Sequence, residues 1–319
     1  MPLVSVLIPI YNAQEFLAES VQSILNQAFQ DFELILVDDA STDNSFSILQ
    51  TISDSRVKII HHNINKGIGE ALNTALASAK GKYLLRMDAD DIAYSNRIKC
   101  QVEFMEENPK IGVSGTLAEY FDGTPFNQTV QNEYLKPSLL LDCPFAHPTV
   151  IIRKEIMDNS GLQFSGYLED YELWIKLSQL TDFGLLPEVL LKYRRSENQF
   201  TSQNFEKRQN EANKLRITFA EKWLKRKLTI SERQIVSIGI DPDNQPGLKS
   251  VEIFCNELLQ KEPWSQEEAV LEVIKKLFLR NFYRAPKEQK GVSNLITLSF
   301  FSMKERINLI KKASLSLIK

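Results

Sequence analysis

Short apolar runs alternate with amphipathic stretches through the first hundred residues. The runs predict strands at Val4 to Ile10, Glu33 to Val37, Val57 to Ile60 and Tyr83 to Met87. Between them, Phe16, Val21, Ile24 and Leu25 mark one helix, and Ile68, Leu72, Ala75, Leu76 and Ala79 recur at three- and four-residue spacing and mark another. This is the βαβ rhythm of a mostly parallel sheet covered by helices. Ser41 or Thr42, with Asp43 behind it, supplies a cap and an acidic first turn for a further helix. After residue 110 the pattern becomes mixed. An apolar segment from Ile111 to Tyr120 and a strand-like run from Thr149 to Arg153 predict antiparallel additions, Tyr171 to Leu180 a helix, and Phe183 to Tyr193 a strand with Pro187 at a bulge or edge. From about Asn204 the chain turns helical and basic. The expected organisation is an α/β region over 1–203, with the acceptor side from about 110, and a helical C-terminal region over 204–319.

The chain has 319 residues, 43% hydrophobic and 25% charged, ordinary values for a globular protein with a sizeable core. Cys100, Cys143 and Cys255 are odd in number and far apart, which suggests neither a disulfide framework nor a zinc site and points to a reducing cytosol. No secretory leader is expected at Met1 to Val6, and no run of about 20 apolar residues suits a membrane span. The expected location is therefore cytoplasmic. The net charge of -3 hides an asymmetry: residues 1–200 hold 16 Lys/Arg against 27 Asp/Glu, and the remainder 22 against 14. An acidic first half argues against nucleic acid as a partner.

In an open parallel sheet, ligands bind beyond the carboxyl ends of the strands. Three of those ends are polar here: Pro9-Ile10-Tyr11-Asn12, Asp38-Asp39 and Asp88-Ala89-Asp90-Asp91. None leads into a Gly-x-Gly-x-x-Gly turn or a P-loop, which argues against a dinucleotide oxidoreductase and a P-loop NTPase. In an extended segment Asp88 and Asp90 fall on one side, about 6.6 Å apart. One hard cation, Mg²⁺ or Mn²⁺, could sit between them with room for a diphosphate in its shell. The alternative is an acidic turn capping the helix near Ser95. Asp38 and Asp39 likewise either cap a helix or accept the ring N–H of a base and the hydroxyls of a ribose.

Val4-Ser5-Val6-Leu7-Ile8-Pro9-Ile10-Tyr11-Asn12, Leu36-Val37-Asp38-Asp39-Ala40-Ser41-Thr42-Asp43, Asn65-Lys66-Gly67 and Met87-Asp88-Ala89-Asp90-Asp91, in that order, resemble the family 2 glycosyltransferases of the GT-A fold over about residues 3–200. The resemblance implies a nucleotide-sugar donor and an inverting transfer. It implies donor contacts at Pro9, Tyr11, Asn12 and Asp39, with Asp38 and Lys66 in the same motifs, and a metal held chiefly by Asp90 with Asp88 assisting. Tyr167-Leu168-Glu169-Asp170-Tyr171 resembles the family's Glu-Asp motif, so Asp170 is implied as the base, with Glu169 beside it. By spacing alone these acids would simply favour a helix N-terminus. His147, in Phe145-Ala146-His147-Pro148-Thr149, either faces a sugar or is a structural histidine. The chain departs from the family where Ser196 stands at a position commonly held by His. Arg194 or Arg195 could contact the diphosphate instead, surface solvation being the ordinary alternative. His61 and His62 are assigned no role.

The expected activity is transfer of a sugar, from a UDP-sugar in the first place, to a hydroxyl of a glycan or lipid-linked acceptor in cell-surface polysaccharide synthesis. A noncatalytic nucleotide-sugar binding or scaffold protein of the same fold is the rival. In the basic C-terminal region, Trp264, Leu277, Phe278, Phe282 and Tyr283 alternate with Lys275, Lys276, Arg280 and Arg284, and Leu295 to Met303 precedes further basic residues. Such helices either lie on an anionic membrane at its inner face or pack against protein.

Overall fold

A computed structural model describes residues 1–126, 132–195, 205–237, 246–261 and 268–284, and the side chains of all of these except 282–284. Its first compact unit comprises Met1–Leu135 and Cys143–Asn204. Strands β1 (Val4–Ile10), β2 (Phe32–Asp38), β3 (Val57–His61) and β4 (Tyr83–Arg86) pair in parallel. Then come β5 (Ile92–Ala93), β6 (Ile111–Tyr120), β7 (Ile151–Arg153) and β8 (Asp182–Tyr193), in the sheet order β3-β2-β1-β4-β7-β6-β8-β5. The helices of this part are α1 (Leu17–Leu25), α2 (Ser45–Gln50), α3 (Ile68–Ser78), α4 (Arg97–Glu107), α5 (Asn132–Ser138), α6 (Lys154–Ser160) and α7 (Glu169–Leu177).

The apolar runs form β1 and β2 because both of their faces are covered. Val4, Val6, Ile8 and Ile10 share one buried cluster with Leu17, Val21 and Ile24 of α1. Leu7, at the alternate parity, is buried too, and α3 packs on β1 and β2 through Ala71, Leu72 and Ala75. Each fully buried aliphatic side chain contributes roughly 1.5–3 kcal/mol.

Two local expectations change. The additions after residue 110 are only partly antiparallel: β7 runs antiparallel to β4 and β6, and β5 to β8, but β8 pairs with β6 in parallel. The long connection through α5, α6 and α7 permits this, since parallel pairing needs a crossover. In β8 the register slips between Leu186 and Val189, which puts Pro187 in a bulge. The second change is in α2, which starts at Ser45 after Asn44 and is not capped by Ser41 or Thr42. The Ser41 and Thr42 side chains and the Thr42 N–H are engaged instead with Asn12, and the Ser41 N–H with Asp38.

The second unit comprises Lys136–Asp142 and Phe205–Lys319. Its helices are α8 (Phe205–Leu224), α9 (Ile230–Val236), α10 (Leu248–Leu259) and α11 (Glu268–Arg284). Arg216 of α8 donates to the carbonyl of Leu141 at 2.7 Å. Thr229 and Glu232 form a reciprocal cap at the start of α9. Leu277 and Phe278 are buried, and Arg280 and Asn281 donate to the carbonyl of Ile235 near the end of α9. Both apolar residues are therefore spent on packing within this unit, not on an exposed amphipathic face. Trp264 and the cluster from Leu295 lie outside the described residues, as does Ser196. Among the described residues no helix is long and apolar enough to cross a membrane.

Candidate active site

The ends of β1, β2 and β3 form one half of the site. Tyr11 follows β1 and is 51% exposed, an aromatic face open to a ligand, while Pro9 is half-buried beside Val37. Asn12 has a φ of 52°, a left-handed conformation that Asn tolerates better than most residues. Its N–H donates to Ser41 Oγ at 3.0 Å and its Oδ1 accepts from the Thr42 N–H at 2.8 Å. Asn12 therefore ties the end of β1 to the turn after β2.

Asp38 and Asp39 are both buried. The parallel register sets Asp38 opposite His61, whose Nδ1 lies 2.8 Å from Asp38 Oδ2. Asp39 Oδ1 lies 2.6 Å from His62 Nδ1, and His62 Nε2 lies 3.0 Å from Thr74 Oγ1. Asp39 also accepts the N–H groups of Lys66, at 3.0 Å, and Gly67, at 2.7 Å, ahead of α3. Gly67 has a φ of 89°, which a side chain would strain. The His61-His62 pair, assigned no role from sequence, thus fixes both carboxylates. The Lys66 side chain is exposed.

The other half is built on the end of β4 and the start of α7. The strand stops at Arg86, so Asp88 to Asp91 form a turn and not the extended segment expected. The turn gathers Asp88, Asp90 and Asp91, each offering an oxygen, with these atoms within 4.8 Å of one another. Asp91 is fully buried; its Oδ1 accepts the Arg194 N–H at 2.9 Å, and its Oδ2 has no partner. Burial, and then the charges of Asp88 and Asp90, push its carboxyl well above the usual range. An all-oxygen, acid-rich set with an unsatisfied buried oxygen fits a hard divalent cation such as Mg²⁺ or Mn²⁺.

Arg194 clamps this turn. Its Nε donates to the Asp90 carbonyl at 2.8 Å, its Nη2 lies 3.1 Å from Glu19, and its guanidinium is sandwiched 4.0 and 3.9 Å from the ring centres of Phe16 and Phe121. Arg195 stacks on Tyr120 and donates to its hydroxyl.

Glu169 and Asp170 open α7. Asp170 is partly accessible, yet its surroundings are dry: burial first, and then the Glu169 charge, raise its pKa, with Arg86 pulling the other way. The Cys143 thiol lies 3.6 Å from Asp170 Oδ2 and donates to it. His147 is 8% exposed, packed against Phe164 and Trp174, with Nδ1 3.4 Å from Glu169. Burial, and then the Arg86 charge, lower its pKa to about 3, so the ring is neutral and the contact with Glu169 is polar, not ionic.

Sequence inspection passed over Arg86 and Arg97, two buried arginines behind these acids. Arg97 Nη2 donates to the carbonyls of Arg86 and Pro148, at 2.9 and 2.7 Å, joining β4 to the segment that carries His147. A lone charge inside the apolar run Tyr83 to Met87 was the available signal. A cavity of about 480 Å³ also opens at the opposite, N-terminal ends of β1 and β4, near Asp31, Lys80, Lys82 and Lys154. Lys82 and Lys154 are paired with Glu106 and Asp158, and the cavity is at the wrong end of the strands for chemistry.

Two buried carboxylates at the end of β2, an acidic turn after β4 and an acidic pair opening α7 are set on a mostly parallel, helix-covered sheet. Residues 5–166 match the profile of glycosyl transferase family 2, and the chain belongs to that family. A Haemophilus influenzae protein named only as an uncharacterized glycosyltransferase is 36% identical over 231 residues, 67% of this chain and 71% of its own. The Escherichia coli UDP-Glc:alpha-D-GlcNAc-diphosphoundecaprenol beta-1,3-glucosyltransferase WfgD is 30% identical over 212 residues, 64% of this chain and 81% of its own. In fold, the chain resembles Staphylococcus aureus TarS in complex with UDP-GlcNAc, with a TM-score of 0.60 at 18% identity, covering 99% of this chain and 91% of the other. It also resembles the Pyrobaculum calidifontis mannosyltransferase PcManGT in complex with GDP-Man and Mn²⁺, with a TM-score of 0.56 at 17% identity, covering 99% and 81%. The fold is GT-A-like.

Proposed function

We propose that this protein is an inverting, metal-dependent glycosyltransferase that moves a sugar from a UDP-sugar to a hydroxyl of a lipid-linked or growing glycan in cell-surface polysaccharide synthesis. The observation that carries this is Asp170: a partly accessible carboxylate whose dry surroundings raise its pKa toward the range a general base needs, in electrostatic reach of Arg86. The donor named for the E. coli relative, a UDP-sugar, and its lipid-diphosphate acceptor support the choice of substrates.

In this reading Tyr11, Pro9, Asn12, Asp38, Asp39 and Lys66 bind the nucleoside end of the donor. Asp90, with Asp88, would hold Mg²⁺ or Mn²⁺, which when bound would supply positive charge to the leaving diphosphate. Asp170 takes the proton of the acceptor hydroxyl. The freed oxygen pair bonds to the anomeric carbon while the bond from that carbon to the diphosphate oxygen breaks, and the nucleoside diphosphate leaves with that electron pair. Attack from the opposite face inverts the anomeric centre. Glu169 and neutral His147 border the base and line the sugar side, and Arg194 keeps the acidic turn in place next to the diphosphate.

The test is release of nucleoside diphosphate from a panel of UDP-, GDP- and dTDP-sugars, with and without Mn²⁺. Metal-stimulated release is expected with a UDP-sugar. Asp170→Asn is expected to keep donor binding and lose about 10²- to 10⁴-fold in kcat. A chain that binds donors but never releases the diphosphate, with any acceptor fraction or metal, is a binding protein, and the proposal then fails.

A further inference from the structure

Arg86 ends β4, two residues before Asp88, and is 4% exposed. Its backbone is committed on both sides: its N–H donates to Val150 at 2.9 Å, and its carbonyl accepts from Arg97. Its side chain reaches Asp88, with Nη2 2.6 Å from Oδ1, whereas Nε and Nη1 are buried with no hydrogen-bond partner. A guanidinium in such a place is costly unless carboxylates compensate it, so its position needs a reason. The acids that act on it are Asp88, Glu169 and Asp91, and it acts in turn on His147 and Asp170. As a guanidinium it is charged at every working pH. Asp88 is only 27% exposed at its side chain, and Arg86 takes its Oδ1.

We propose that Arg86 is a positioning residue that acts through Asp88: it holds Oδ1 so that Oδ2 faces Asp90 and Asp91, and it supplies the fixed positive charge that allows three carboxylates to gather before a cation binds. This rests on the metal assignment of the proposed function and goes beyond it by naming what assembles the site. The contact is a single one, from Nη2, and the planar, buried guanidinium fixes its direction. Lys keeps the charge but places it as a point with rotating donors, so it cannot hold the same oxygen in the same direction.

The full chain is compared with Arg86→Lys, Asp88→Asn and the double variant, with Arg86→Gln/Asp88→Asn as a second pair that removes both charges together. Folding is checked by circular dichroism and thermal unfolding, Mn²⁺ affinity by electron paramagnetic resonance of free Mn²⁺, and uridine binding by calorimetry. Arg86→Lys is expected to lose at least about tenfold in Mn²⁺ affinity, the scale of one charge-assisted hydrogen bond, with uridine affinity unchanged within twofold. In the Asp88→Asn background the same change is expected to cost nothing further, because its route is already cut. Mn²⁺ affinity within twofold of the parent in Arg86→Lys, or an equal loss in both backgrounds, overturns the role of Arg86. A parent chain that binds no Mn²⁺ overturns the metal assignment and this role with it, whereas Mn²⁺ binding without nucleotide release overturns the proposed activity and leaves Arg86 standing.

Discussion

Acid should unfold this protein partly through one histidine. His147 is buried between Phe164 and Trp174, and its pKa falls from 6.5 to about 3 because burial and the Arg86 charge both oppose protonation. In the unfolded chain the ring protonates near its ordinary value. A depressed folded pKa gives stability that is complete above the unfolded pKa and is lost as the pH falls toward the folded one. The window is therefore pH 6.5 down to about 3. A full proton per molecule costs about 1.4 kcal/mol per pH unit, and the unfolded ring takes it up progressively around pH 6.5, so going from pH 7 to 4.5 removes about 2.5 kcal/mol through this residue alone. Other carboxylates titrate in the same range, so the informative quantity is a double difference. His147→Asn is less stable at pH 7 because it loses packing, yet it has no imidazole to protonate. Urea unfolding of parent and variant at both pH values is followed by Trp174 fluorescence, with Trp223 and Trp264 changed to Phe in both. The stability gap is expected to narrow by about 2.5 kcal/mol between pH 7 and 4.5. If both proteins lose the same stability, the assignment of a neutral, acid-resistant His147 is wrong.

Four other outcomes are expected. Asp170→Asn should be at least as stable as the parent at pH 7, since a raised folded carboxyl pKa means that ionised Asp170 costs stability as the pH rises; a large drop in melting temperature would contradict this. The acid limb of the kcat profile should lie above the usual carboxylate value of 3.8, because a base must be ionised to act; a limb at or below that value would dissociate it from Asp170. Asp90→Ala should weaken UDP binding in Mn²⁺ far more than uridine binding, whereas Asp39→Ala should weaken both, as calorimetry can show. The full chain should sediment with anionic vesicles at low salt and be released by salt, and a chain ending at Arg284 should not; if both sediment alike, the basic residues beyond 284 are not the membrane contact.

β1, β2 and β4 were legible because burial on both faces leaves unbroken apolar runs, and α1 and α3 because they keep a helical period. The two-residue β5 has no pattern to find: it exists because Lys192 and Leu191 of β8 offer it a ladder. Asp38, Asp39, Asp88, Asp90 and Asp170 stood out in the sequence because acids at strand and helix ends are conspicuous. Their supports did not. His61 and His62 reach their carboxylates across a parallel register and 23 residues of chain, which no local pattern records. Arg86 counts in a hydropathy pattern as a flaw in a strand, and only its burial against Asp88 gives it meaning. Cys143, set aside for want of a paired spacing, turns out to face the candidate base.

The two halves of the site are held by different forces, and this bears on how each responds to change. Asp39 is held by two backbone N–H groups and a histidine, and Asn12 by the turn after β2, so the half of the site at the ends of β1 to β3 is preorganised by short hydrogen bonds that need no ion. The acidic half is held by charge: three carboxylates within 4.8 Å, with Arg86 bonded to Asp88 and Arg194 clamped on the turn. Arg97, behind them, is itself driven down to about 9 by burial, yet it stays charged at neutral pH, so with Arg86 it sets two buried positive charges beneath the turn. Carboxylates this close repel strongly in a low-dielectric setting and relax when a cation arrives. Removing a metal should therefore loosen the acidic turn and the residues packed on it, Phe16 and Phe121 included, while leaving the β1–β3 rim as it is. A donor would then still be grasped by its nucleoside and lost at its phosphates, a division of labour that follows from which groups are wired by backbone and which by charge.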